Sequence, residues 1–316
     1  GQLVALSTAQ MAALTTAQVA ALTTAQVAAL ETADLAALTT AQAVALTTAQ
    51  VKVLTSAQLN ALDSDQIQAI ETADLAVLTT AQLSTLASDT VAMLSTDQVV
   101  ALTTAQIKSL TSAQINALSE DQLGAIETAD IAALTTYQIS KLATASLALL
   151  STDQVVALGT AQLASLTATQ AAGLTSDQIT AMTTAQVKAL TTGALNALDS
   201  AQMGALETED FAALTTAQIA GLDTEAVALL STDQVVALTS TQLNSLTTAQ
   251  TAALTSDQLT AIETADVAVL SSSELRSLTT EQVSKLTTAQ LAAIAVDKFA
   301  AMQTADIAAI TTAQLA

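Results

Sequence analysis

Leucine recurs every eight residues along this sequence, and no insertion or deletion interrupts the period. Steps of eight from Leu14 pass through Leu22 and Leu30 and still reach Leu150 and Leu214. Read from its first apolar residue, one octad is Val-Ala-Ala-Leu-Thr-Thr-Ala-Gln, and its positions are called a to h. A period held over the whole chain predicts one octapeptide-repeat array over residues 1–316, as a segment of a longer array or as a filament subunit.

The spacing of apolar residues within the octad favours helices. Position d is nearly always leucine and position a is mostly Val, Ile or Leu, so both lie on one face of a short helix. One long helix is excluded, because eight residues advance a helix by about 800° and would rotate the stripe by about 80° per octad. A β-solenoid would need period-two alternation, and alanine at b and c disfavours strands. We therefore predict an all-α solenoid, a continuous coil with one very short helix per octad.

The threonine pair at e and f marks the bend between helices. Position f is Thr or Ser in nearly every octad, whereas e also admits Glu31, Ala87 and Gly159. This contrast predicts f as the N-cap, e as a linker, and a helix of about six residues from g to d. In the alternative frame e is the N-cap and Thr-Thr-Ala-Gln forms a capping box, but Glu and Ala at e count against it. Either way glutamine is expected on the polar exterior.

Proline is absent and only seven glycines occur in 316 residues. Glycine and proline are the residues that supply unusual backbone conformations in tight turns. The bends are therefore predicted to rely on capping alone.

A slower order is superposed on the octad. The block that begins at Leu54 returns from Leu110, a shift of 56 residues, and Glu-Thr-Ala-Asp or a close variant recurs at intervals of 5, 7, 10, 7 and 5 octads. These intervals come closest to whole turns of the coil if about 2.4 octads make one turn. Whole-octad shifts also indicate growth by duplication of longer blocks.

The Glu-Thr-Ala-Asp octads hold the only candidate metal ligands. Each pairs a carboxylate at e with another at h, and oxygen ligands suit calcium. Calcium needs six to eight oxygens, however, and neighbouring octads mostly carry Ala and Gln, so we favour an acidic residue that complements the helix dipole. Weak calcium binding is conceivable but is not expected. The candidates are Glu31, Asp34, Glu71, Asp74, Glu127, Asp130, Glu207, Asp210, Glu263 and Asp266.

Composition argues against catalysis, and no catalytic residue and no cofactor are predicted. The chain has no cysteine and no histidine, which removes thiolate chemistry and the commonest general base. The basic residues Lys52, Lys108, Lys188 and Arg276 all fall at the variable position b, which is typical of solubilising surface charge. Tyr137, the single tyrosine, replaces a small residue at g and is expected to be an exposed, tolerated variant.

Charge and hydropathy restrict the partners. A formal net charge of −21 opposes binding to nucleic acid and to anionic membranes. The polar Thr-Thr-Ala-Gln interrupts every apolar run well short of the roughly 18 to 20 residues that span a bilayer, so no membrane insertion is predicted. Association of arrays with one another, end to end or side by side, is compatible with the repeat.

Octads such as LTTAQVAAL and LTSAQINAL resemble the Ala/Thr/Gln-rich tandem repeats of very large bacterial secreted or surface proteins of the adhesin-like, type I-secreted class. This resemblance implies an extracellular or cell-surface location and a mechanical role. We therefore predict a non-enzymatic spacer, stalk or filament body. The alternative is a scaffold that binds protein, glycan or ice through its variable outer face and its threonine columns, such as Thr15, Thr23, Thr39 and Thr47.

Overall fold

A computed structural model describes residues 7–315. Within this range the chain forms 38 short α-helices and one 3₁₀ turn, and no strand occurs there. The helices follow one another at one per octad, which confirms the predicted all-α solenoid. By its contacts the chain divides into two compact units, which meet at Leu158 and Gly159 in the sequence. Whether residues 1–316 behave as one array stays a prediction.

The first unit ends at Leu158 and contains nineteen helices of four to six residues. They are α1 Thr8–Ala12, α2 Thr16–Ala20, α3 Thr24–Ala28, α4 Thr32–Ala36, α5 Thr40–Val44, α6 Thr48–Val51, α7 Ser56–Leu59, α8 Ser64–Ala69, α9 Thr72–Leu75, α10 Thr80–Ser84, α11 Ser88–Ala92, α12 Thr96–Val100, α13 Thr104–Ser109, α14 Ser112–Asn116, α15 Glu120–Ala125, α16 Thr128–Ala133, α17 Thr136–Lys141, α18 Thr144–Ala148 and α19 Thr152–Ala157.

The second unit begins at Gly159 and contains nineteen further helices, followed by the 3₁₀ turn Thr312–Gln314. They are α20 Thr160–Leu163, α21 Ala168–Ala172, α22 Ser176–Ala181, α23 Thr184–Ala189, α24 Thr192–Leu195, α25 Ser200–Ala205, α26 Thr208–Ala213, α27 Thr216–Gly221, α28 Thr224–Leu229, α29 Thr232–Val236, α30 Ser240–Leu243, α31 Thr248–Ala253, α32 Ser256–Ala261, α33 Thr264–Val269, α34 Ser272–Ser277, α35 Thr280–Lys285, α36 Thr288–Ala293, α37 Val296–Phe299 and α38 Thr304–Ala308.

The N-cap is the residue at e, so the prediction that f caps the helix is wrong. In α2 the Thr15 hydroxyl accepts the backbone N–H of Gln18 at 3.2 Å, and the Gln18 Oε1 accepts the backbone N–H of Thr15 at 2.8 Å. This is the capping box of the alternative frame. Glu at e is tolerated because the residue at h still caps from its side: the Asp34 Oδ2 accepts the backbone N–H of Glu31 at 3.3 Å.

The helix consequently begins at f and ends at a, b or c, and the bend lies at d and e. In α8 the helix ends at Ala69, after which Ile70 has φ −64° and ψ 129° and Glu71 has φ −63° and ψ 146°. The predicted span of g to d was therefore displaced toward the C-terminus. No described residue has a positive φ, and no cis peptide bond occurs among them. The prediction that the bends need no special backbone conformation is confirmed.

The core of each unit consists of the side chains at a and d. Val51 and Leu54, the a and d residues of one octad, are both buried, and so are their equivalents Leu243 and Leu246 in the second unit. Even the small variants at a, such as Ala43 and Thr251, are buried. The predicted a/d stripe is confirmed, and its burial supplies the hydrophobic stabilisation that an isolated helix of one or two turns lacks.

Successive turns of the coil are three to four octads apart, and the predicted 2.4 octads per turn is wrong. Within each unit, helices pack against the third helix along the chain: α5 against α8 in the first unit, and α33 against α36 in the second. Side-chain hydrogen bonds between turns join residues separated by 25 to 31 positions. The intervals between Glu-Thr-Ala-Asp octads did not determine the turn size, because seven octads also equal two turns of three and a half octads each. The intervals therefore reflect duplication of blocks.

Adding a capping side chain should stabilise a helix whose N-cap residue makes no side-chain cap bond. Ala87 is an exposed N-cap with no side-chain cap bond, and its backbone has the same extended conformation as the threonine caps. We expect Ala87→Ser to stabilise α11 by about 1 kcal/mol, because the new hydroxyl can accept the Thr90 N–H. The converse change Thr103→Ala should cost a similar amount. Hydrogen exchange of the amides in α11 and α13 measures both, and protection that is unchanged in α11 would contradict the prediction.

Candidate functional site

The glutamine at position h lies between successive turns and binds both. Gln106 is 2% exposed. Its Oε1 accepts the backbone N–H of Thr103 at 2.8 Å and the Thr103 hydroxyl at 3.0 Å, which fixes the cap of its own helix. Its Nε2 donates to the carbonyl oxygens of Leu75 and Leu78, both at 2.9 Å. These carbonyls belong to the a and d residues of the preceding turn, 31 and 28 positions earlier.

The same pair of inter-turn bonds recurs in both units, and we call this set the glutamine ladder. The d carbonyl is available because the chain is extended there, so no helical N–H of its own segment reaches it. Each amide side chain thus satisfies a backbone acceptor of the turn before it. The ladder contains Gln42, Gln50, Gln58, Gln66, Gln98, Gln106, Gln114 and Gln154 in the first unit and Gln202, Gln234, Gln242, Gln250, Gln258, Gln282, Gln290 and Gln314 in the second.

The prediction that glutamine lies on the polar exterior is wrong for these residues, which are buried, and their role between turns was not predicted. The usable signal was that h is glutamine in most octads, whereas g is mostly Ala or Asp and also admits Glu, Thr, Ser, Gly and Tyr. A solvent-exposed position has no reason to retain one polar residue type. The primary amide is suited to this place because it carries an acceptor for the cap and N–H donors for the carbonyls.

Octads without glutamine show what position h requires. At Lys298 the ammonium Nζ takes over the donor role and binds the Ala268 carbonyl at 2.9 Å. Glu274 keeps only the cap: one oxygen accepts the backbone N–H of Ser271 at 2.5 Å, while Oε1 is buried and has no hydrogen-bond partner. A carboxylate supplies no N–H, so the inter-turn bond is lost at this octad.

The predicted metal candidates separate into two environments. Their glutamates, at e, are exposed; Asp34, Asp74, Asp130 and Asp210, at h, are buried, and Asp266 is half-buried. Asp210 caps its helix by accepting the backbone N–H of Glu207 at 3.1 Å. Within residues 7–315 no group of three or more Asp, Glu, His or Cys side chains is arranged to hold a metal ion. The described contacts give Asp34 and Asp210 a capping role, whereas Asp266 accepts the hydroxyl of Ser240 from another turn.

Calcium titration tests this reading of the carboxylate pairs. We expect isothermal calorimetry to show no sites tighter than the weak extracellular range of about 10⁻³ M, because each pair offers too few oxygens. The variant with Glu71→Gln and Asp74→Asn should titrate like the unaltered chain. Tight, saturable binding that this variant loses would refute the capping reading.

Hydroxyls of the predicted threonine columns take part in helix capping. Thr15, Thr23 and Thr39 are the N-caps of their helices, and their hydroxyls both accept the N–H of the glutamine at h and donate to its Oε1. Hydroxyls that are used in this way are poorly placed to order water or ice. The lysines at b and Tyr137 are exposed, as predicted.

The octads match a known repeat family. The ALTTAQ repeat matches residues 1–30, 27–64, 67–104, 100–125, 123–160, 156–184, 180–208, 203–240 and 259–296, which together cover most of the chain. The chain belongs to the ALTTAQ repeat family. In this chain the ALTTAQ string occupies positions c to h, so it contains the core leucine, the capping residue and the ladder glutamine.

The family assignment shows a tandem repeat protein of structural type. None of the curated proteins compared with the chain is significantly similar to it. Among residues 7–315, no helix combines the length and apolar character required to cross a membrane.

Proposed function

We propose that this ALTTAQ repeat chain is a non-enzymatic structural array that serves as a spacer, stalk or filament body of an extracellular bacterial protein. The observation that carries the proposal is the glutamine ladder. The same two bonds join each turn to the one before it in both units, so adding octads extends the structure without requiring any new kind of contact. A spacer whose length depends on its number of repeats needs this property.

The energetics of the ladder suit a mechanical role. A buried side-chain hydrogen bond contributes on the order of 1 kcal/mol, and an acceptor left without a donor costs about 1–3 kcal/mol. Two such bonds at each octad of the glutamine ladder, added to the buried a and d side chains, distribute the stabilisation along each unit. In an array held by neighbour contacts, local opening then stays local.

Composition supports the extracellular part of the proposal. The chain lacks cysteine and carries a net charge of −21, which keeps an extended surface soluble and disfavours nucleic acid as a partner. These properties agree with the resemblance to large secreted or surface-attached bacterial repeat proteins. Association between arrays, end to end or side by side, belongs to the same proposal.

Deletion of one duplicated block tests the spacer role. Removing residues 54–109 joins Val53 to Leu110 and keeps the register, because the sequence from Leu110 repeats that from Leu54. A spacer should shorten in proportion to its residues, so we expect the maximum dimension from small-angle scattering to fall by about 18%. For a compact globule, whose size scales as about the 0.38 power of length, the decrease would be only about 7%.

A second deletion provides the control. Removing residues 54–105 deletes nearly as many residues but breaks the octad by half a period, and we expect it to lower the helical signal in circular dichroism. The in-register deletion should retain the helical content per residue. A decrease of about 7% with the fold retained would argue against the spacer function.

A further inference from the structure

An open cavity in the first unit brings together two of the seven basic residues and the single tyrosine of this acidic chain. It encloses about 530 Å³ over α13, α14 and α17 and is lined by Lys108, Lys141, Tyr137, Ser112 and Thr135, among others. That volume is within the ~300–1,000 Å³ typical of small-ligand sites. Gln138 fixes its floor, because its Nε2 donates to the Lys108 and Leu110 carbonyls at 3.1 and 2.7 Å.

The charged and aromatic groups of this cavity are positioned against each other. The Lys141 Nζ lies 5.9 Å from the centroid of the Tyr137 ring, a cation–π distance that holds the ammonium group at the cavity. The ring is nevertheless 68% exposed and offers a flat apolar surface. Ser112 also lines the cavity, and its hydroxyl oxygen is buried without a hydrogen-bond partner. A buried hydroxyl usually has a hydrogen-bond partner, so this one is suited to bond with a ligand in the cavity.

The related block 56 residues earlier has the same scaffold but lacks the tyrosine and the second lysine. Its lysine, Lys52, matches Lys108, but Ala81 and Thr85 stand at the places of Tyr137 and Lys141. There the hydroxyl of Ser56 is satisfied: it lies 2.5 Å from the Thr85 hydroxyl and donates to the Gln82 carbonyl at 3.2 Å. The scaffold is thus complete without the tyrosine and the second lysine. Those two residues add a ring and a charge and remove the partner of the serine.

We propose that this cavity binds an acidic sugar, a uronic acid unit with a single carboxylate. Two ammonium groups complement one carboxylate, the exposed phenol ring suits the apolar face of a sugar ring, and Ser and Thr hydroxyls match sugar hydroxyls. The net charge of −21 repels a ligand in proportion to its own negative charge, which favours a monoanion over nucleotides or polyphosphates. The inference does not depend on the spacer role, since a spacer need not bind any ligand.

The chain itself supplies a specific probe. Tyr137 is its only tyrosine and it has no tryptophan, so intrinsic tyrosine fluorescence reports on this cavity alone. In titrations of the full chain we expect a saturable change with galacturonate that weakens as salt is added, and no saturable change with galactose or acetate. A titration with trigalacturonate, run in parallel, separates the two sources of the ligand, since tighter binding than the monomer identifies an acidic polysaccharide and equal or weaker binding a free sugar acid.

The variant Lys141→Thr keeps the fluorophore and installs the threonine of the earlier block, so the fold is not at risk. It should bind galacturonate about tenfold more weakly or worse, as expected for loss of a hydrogen bond to a charged group. Lys188→Thr removes the same charge from an exposed lysine of the second unit and should leave the affinity unchanged. Equal responses to galactose or to acetate, no response to galacturonate, or unchanged affinity in Lys141→Thr would each overturn the proposal.

Discussion

Replacing Gln106 with glutamate should destabilise the turns around it by about 3 kcal/mol or more. The change is nearly isosteric and retains an oxygen for the backbone N–H of Thr103 at the cap. It removes both N–H donors to the carbonyls of Leu75 and Leu78 and places a carboxyl oxygen against them inside the unit. Native-state hydrogen exchange should show amides of α9, α10 and α13 opening more readily, while helices several turns away retain their protection.

Gln18→Glu is the matched control. Gln18 is exposed, and its described side-chain bonds are all to Thr15, in the capping box of its own helix. The substitution introduces the same group without burying it, so we expect less than about 0.5 kcal/mol, the usual effect of a surface change. A third variant, Gln106→Met, fills a similar volume without a charge and should fall between the two. If Gln106→Glu and Gln18→Glu had equal effects, the ladder would not contribute to stability.

The architecture could be predicted because it depends on the spacing of apolar residues within and between neighbouring octads. A period of eight does not match a straight helix, and the three-residue spacing of a and d admits a short one; together these establish the short-helix coil and its core. The cap could not be assigned with the same ease, since e and f are both Thr or Ser in most octads. The decisive residues are those like Glu31, which makes no side-chain cap bond but whose backbone N–H is still accepted by the side chain at h, Asp34.

The number of octads per turn and the ladder depend on non-local geometry. The turn size follows from the torsion angles of the extended d and e residues, such as Ile70 and Glu71, and the octad pattern does not specify those angles. The ladder in turn depends on which octad lies in the preceding turn. Once a turn spans between three and four octads, the side chain at h meets the carbonyls 28 and 31 residues earlier. The same reasoning explains why the cavity at Tyr137 was not foreseen: Lys108 and Ser112 meet Tyr137 only across a turn.

The reciprocal substitution, Glu274→Gln, should stabilise the second unit. Glu274 is 3% exposed, and its Oε1 has no hydrogen-bond partner at the place where ladder glutamines carry their Nε2. By the register of the ladder, the acceptors beneath it are the carbonyls of Leu243 and Leu246. An amide would donate to them and would still accept the backbone N–H of Ser271. We expect a gain of about 1–3 kcal/mol, the cost of leaving buried polar groups without partners.

A gain at Glu274→Gln could also arise simply from the loss of one negative charge in a chain of net charge −21. Glu281→Gln separates the two causes, because Glu281 is an exposed residue at g and its replacement changes the net charge equally. Hydrogen exchange should show greater protection of α31 and α34 in Glu274→Gln and almost none of this change in Glu281→Gln. Similar gains in both variants would show that the effect comes from the change in net charge. A gain confined to Glu274→Gln would show that the amide donors at position h stabilise the contact between turns.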